Sequence, residues 1–136
     1  MEIDWPAEFG SWLDGLETRA ANGDARADLL LDFVTAELKY LQELLVPPVK
    51  ADETMELKWV RQSRRYELWR VSHAYHPDVA MRLICWFPPA SDRVVVTLFG
   101  GDKARIGDVW YDSVASRADG LVDQWKREAL DGQHVE

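Results

Sequence analysis

The sequence predicts an α+β fold: an N-terminal helical hairpin packed on a twisted, mainly antiparallel sheet of four to five strands, with a C-terminal helix. Three observations carry this expectation. Apolar residues recur at helical spacing in two blocks near the start and one near the end. Between them lie four short segments rich in Val, Ile, Trp, Tyr and Phe. The connections among those four are too short to hold helices, which implies an antiparallel meander.

Taken in order, Glu2 to Trp5 reads as a strand stopped by Pro6. Phe9, Trp12, Leu13 and Leu16 then fall on one face of a helix over roughly residues 7–20. Asn22-Gly23-Asp24 breaks it, and Asp24 has the chemistry of an N-cap for the next helix. Leu30, Val34, Leu38, Leu41 and Leu45 form a second stripe, ended by Pro47-Pro48. The strand segments are Met55 to Gln62, Tyr66 to His73, Met81 to Phe87 and Val94 to Phe99. Turn formers separate them at 63–65, 76–78 and 88–92. After Gly100-Gly101 the helical period returns in Trp110, Val114, Ala118, Leu121 and Trp125, with Asp108 as its cap. In the expected arrangement the helices cover one face of the sheet, and the other face is open to carry basic residues.

Composition supports a single folded domain over residues 1–136. Hydrophobic residues are 47% and aromatic ones 11% of the chain, which suits a packed core rather than a disordered tail. No apolar run approaches the roughly 20 residues that span a bilayer, and the acidic opening Met1-Glu2-Ile3-Asp4 is unlike a secretory leader, so a cytoplasmic protein is expected. The one cysteine, Cys85, sits in the apolar run Leu83 to Phe87 and reads as core. The net charge of −8 is sorted along the chain: −9 over residues 1–57, +5 over 58–105 and −4 over 106–136. A basic middle between acidic ends is compatible with a local anion site on an acidic body.

Four stretches stand out together: Trp5, Phe9, Trp12 and Leu16; Glu67-Leu68-Trp69-Arg70-Val71; Met81-Arg82-Leu83-Ile84; and Val94 to Lys103 with Trp110-Tyr111 beyond it. On these residues the chain resembles the RelE/ParE toxin superfamily, closest to its HigB-like, phage-derived branch. Trp5, Phe9, Trp12 and Leu16 look like the family's opening strand and helix. Glu67-Leu68-Trp69-Arg70-Val71 looks like its strand ending in an arginine, and Met81-Arg82-Leu83-Ile84 like the next. Val94 to Lys103, followed by Trp110-Tyr111, is similar to the strand, Gly-Gly-Asp-Lys turn and terminal helix of the HigB-like branch. Two features depart from the pattern: Glu67 stands one place from the usual acidic position, and the chain is acidic overall.

The resemblance implies the toxin of a type II toxin–antitoxin system, a ribosome-dependent messenger-RNA endonuclease neutralised in a complex with a cognate antitoxin. Such cleavage builds negative charge on a five-coordinate phosphorus, which preorganised cations stabilise, and it requires neither metal nor cofactor. The resemblance assigns Arg70, Arg82 and Lys103 to that role. His73, beside the second basic strand, is the candidate for proton transfer, with His76, Asp102 or Tyr111 as substitutes. Lys58, Arg61, Arg64 and Arg65 are candidates for RNA binding. Trp59 and Trp86 would stack on bases if exposed. The alternatives are a non-catalytic module of the same fold, either a ParE-like gyrase inhibitor or a degenerate phage-borne partner-binding protein. No zinc cluster, phosphate-binding loop or nucleophile elbow is present in the sequence.

Overall fold

The computed structural model describes residues 1–72, 76–102 and 113–135, with side chains as far as residue 131. Its elements are β1 (Glu2–Asp4), α1 (Ala7–Ala21), α2 (Ala25–Glu43), a 3-10 turn (Lys50–Asp52), β2 (Leu57–Trp59), β3 (Leu68–Ser72), β4 (Met81–Trp86), β5 (Val94–Asp102) and α3 (Val114–Val135). The five strands form one sheet in the order β1-β5-β4-β3-β2. Among the described strands only β1 pairs parallel, with Glu2, Ile3 and Asp4 opposite Val94, Val95 and Val96. The other pairings are antiparallel, as expected from the short connections. No described helix is long and apolar enough to cross a membrane.

Local chemistry explains the boundaries. The Asp24 side chain accepts from the N–H groups of Arg26 and Ala27, both at 3.0 Å, and so starts α2 as expected. The helix ends at Glu43, before the prolines; the nitrogen of Met1 donates to the Gln42 and Leu44 carbonyls (2.5 and 2.9 Å) and holds that end. Leu45, expected on the apolar stripe, is 91% exposed. At the other limit, β5 runs on through Gly100 and Gly101 to Asp102 rather than stopping at Phe99. A Cβ at Gly100 would lie 2.7 Å from Leu83 Cδ2 and 3.0 Å from Trp12 Cη2, so glycine lets α1 press against the sheet there. Ile84 faces Phe99 while Cys85 faces Thr97, leaving Leu98 as the extra residue of a bulge.

Strand alternation sorts the core into two layers. Trp69, Val71, Met81, Leu83, Cys85 and Val95 face α1 and α2 and pack on Phe9, Leu16, Val34 and Leu41. Leu68, Ile84, Trp86, Val96, Leu98 and Phe99 face the opposite way and pack on Val114, Ala118, Leu121 and Val122 of α3. The open second face expected from sequence is therefore corrected: α3 covers part of it, because those six side chains need an apolar cover. Cys85 and Trp86 are core residues, and burial pushes the Cys85 thiol pKa far up.

Candidate functional site

Three of the expected basic residues converge. Lys58 on β2 stands directly opposite Arg70 on β3. Arg70 in turn stands opposite Ile84, and Arg82 lies two residues before Ile84 on β4. The two-residue strand period puts Lys58, Arg70 and Arg82 on the same face as Leu68 and Ile84, the face that α3 partly covers. Direct cross-strand neighbours have Cβ atoms about 5 Å apart and diagonal ones about 7–8 Å, so the three cations form one diagonal row. All three are half-buried.

Their electrostatics are unusual for an acidic protein. Neither Lys58 nor Arg82 forms a salt bridge among the described residues. Arg82 Nη1 donates to the Met81 carbonyl at 3.1 Å, yet its Nε is buried with no hydrogen-bond partner among the described residues. A buried donor left without a partner is costly, and a bound anion is the natural way to satisfy it. Beside the row, a hollow of about 270 Å³ is lined by Lys58, Trp59, Val60, Arg61, Gln62 and Arg70.

The remaining candidates lie elsewhere. Arg61 Nη2 is paired with Glu53 at 2.8 Å, which lowers the Glu53 pKa below its ordinary value. Arg65 holds Asp123 of α3 (2.8 and 3.3 Å), raising its own pKa and lowering that of Asp123. Both arginines thus sit in surface ion pairs, whereas Arg64 is simply exposed. His73, Lys103, Asp108, Trp110 and Tyr111 fall outside the described residues. His76 accepts from the Asp78 N–H at 3.1 Å through Nδ1 and meets the Phe33 ring edge-on at 5.7 Å, on the α2 side. Asp102 also faces that side; it pairs with Arg26 and accepts from the Ala80 N–H at 2.9 Å. These two substitutes for proton transfer are therefore across the sheet from the cation row. Trp59 is half-buried on the α2 side, with Lys50 at 3.9 Å and Arg61 at 5.6 Å over its ring, so its face is already occupied.

Cations of α3 were not singled out from sequence. Arg117, in the first turns of α3, is exposed and lies 4.3 Å from the centroid of the Phe99 ring. Phe99 stands opposite Ile84 and packs in the same layer, so Arg117 lies on the face of the sheet that carries the row. Its position beside the stripe Val114, Ala118 and Leu121 was visible, but which strands that stripe covers was not.

Fold and site together define an α+β domain carrying a cationic row on one sheet face. Comparison with known proteins finds no match: no family model, curated protein or solved structure is similar to the chain.

Proposed function

We propose that the chain is the toxin of a type II toxin–antitoxin system, a metal-independent messenger-RNA endonuclease that acts on the ribosome and is neutralised by a cognate antitoxin. The observation that carries this reading is the row Lys58, Arg70 and Arg82, with the Arg82 Nε buried and unpartnered among the described residues. When a ribose 2′-hydroxyl attacks the adjacent phosphate, charge builds on the non-bridging oxygens. Guanidinium groups held on neighbouring strands stabilise that charge without reorganising, and they take planar, bidentate contacts to phosphate oxygens. Lys103 joins them on the resemblance alone, as does His73 for proton transfer.

A second reading has its own support. His76 and Asp102 lie across the sheet, which favours a non-catalytic module that binds a polyanion or a partner through the same row. One experiment separates the two: induce the protein in a bacterial host with and without its neighbouring open reading frame, and map transcript ends. New ends within translated messages, absent for Arg82→Ala, are expected. Growth inhibition with intact transcripts would favour the binding module, and full toxicity of Arg82→Ala would remove the row from either account. The purified protein should cut naked RNA poorly, since a body of net charge −8 repels the phosphate backbone and needs the ribosome to deliver substrate.

A further inference from the structure

The strand registers fix what stands beside the last member of the cationic row. Arg82 on β4 is paired with Gly101 on β5, and Ile84 with Phe99. Two-residue alternation puts Gly101 and Phe99 on one face, so β5 sets no side chain opposite Arg82. Phe99 becomes the diagonal neighbour of Arg82, at a Cβ separation of about 7–8 Å. Over the Phe99 ring lies the Arg117 guanidinium, its carbon 4.3 Å from the centroid.

The helical period explains why Arg117 is presented there. Val114 and Ala118 are buried in the layer that holds Ile84 and Phe99, which leaves Arg117 exposed on the flank of α3 above β5. Attraction to the ring holds the planar group in place while its N–H edges stay turned to solvent. Like Lys58 and Arg82, Arg117 forms no salt bridge among the described residues. The chain has 24 acidic side chains against 16 basic ones, so carboxylates to pair with are plentiful. Three cations on one face that pair with none of the described carboxylates suit an anion from outside the chain.

We propose that Arg117 is a fourth anion-binding residue of this site. It takes one phosphate of a single-stranded polynucleotide whose neighbouring phosphates lie along Lys58, Arg70 and Arg82. This assignment rests on the row being a phosphate-binding site and does not require cleavage. The row crosses β2, β3 and β4, and Arg117 continues it over β5, so the bound strand runs across the sheet. A flexible single strand can follow the step from half-buried cations up to an exposed one on a helix, whereas a stiff duplex cannot. A strand that reaches Arg117 releases one counterion more than a strand held by the row alone.

The probe is fluorescently labelled hexauridylate, titrated into the full chain over a salt series and followed by anisotropy. Arg117→Gln keeps a side chain over Phe99 and removes the charge. It should weaken binding about tenfold at low salt and reduce the salt slope by about 0.7. Arg117→Lys should restore the slope, which counts charges, but only part of the affinity. Arg127→Gln removes the same charge from an exposed position about 15 Å further along α3 and should leave the slope unchanged. Unchanged melting temperatures establish that each variant is folded. The proposal is overturned if Arg117→Gln keeps the wild-type slope, if Arg127→Gln weakens binding as much, or if a duplex of equal length competes equally well. Loss of binding in Arg82→Ala but not in Arg117→Gln sinks this assignment alone. Equal binding by wild type and Arg82→Ala removes the row as a phosphate site, and Arg117 with it.

Discussion

Arg82 illustrates how one side chain can be costly to a fold and useful to a site. Its Nε is withdrawn from water without a partner among the described residues, while the Met81 carbonyl holds one of its terminal nitrogens. Gly100 is the reverse case, a residue whose lack of a side chain serves packing alone. Gly100→Ala would push a methyl group against Leu83 and Trp12, and overpacking of this kind costs about 1–3 kcal/mol. Denaturant unfolding should show the loss as a lower midpoint with an unchanged slope, since the surface exposed on unfolding is the same.

The elements are joined by contacts distant in sequence, and α3 makes many of them. The N-cap of α1 is Pro6, which offers no capping side chain. The Glu128 carboxylate of α3 accepts instead from Ala7 N–H (3.1 and 3.3 Å), and Gln124 Oε1 accepts from Glu8 N–H at 3.3 Å. A negative group at that helix end satisfies orphan donors and matches the helix dipole. Glu128→Ala should therefore cost about 1 kcal/mol, the usual loss for a cap, measured by thermal or denaturant unfolding.

The same helix carries a pH-dependent tie. Hydrogen bonds from Arg65 and then from the Tyr66 hydroxyl hold the Asp123 carboxyl below the ordinary aspartate value of 3.8. A depressed pKa in the folded state contributes stability that is complete above the ordinary value. That contribution is lost as pH falls through the lowered one. Wild type should thus melt higher than Asp123→Asn near neutrality, with the difference closing only below about pH 4. Because the pair is exposed, the difference should be small and should shrink with added salt. Melting temperatures across the acid range check both points.

At the scale of the whole molecule, charge is sorted in space as well as in sequence. The acidic α1–α2 side and the row Lys58, Arg70 and Arg82 belong to opposite faces of one sheet. A polyanion held by the row should show the salt dependence of about three released counterions. For single-stranded RNA that is a slope of about −2 in log affinity against log salt. Substituting any one of the three by Ala should reduce the slope by about 0.7, whereas Arg64→Ala should leave it nearly unchanged. A filter-binding or anisotropy series over salt measures both.

The α+β class, the element order and most helix limits were legible in the sequence by itself. Period and punctuation act over a few residues, and Asp24, Pro6 and the stripe through Val34 and Leu41 needed nothing from elsewhere in the chain. The two-residue strand period places alternate residues of each strand on opposite faces. What it could not supply was register. Whether Arg70 faces Ile84, and whether Arg82 therefore joins Lys58 in one row, depends on how separate strands slide against each other. Nor could it say that α3 would fold over the second face, bring Arg117 to Phe99 and cap α1 through Glu128. Those outcomes follow from burying two apolar sheet faces at once, a condition only the assembled structure imposes.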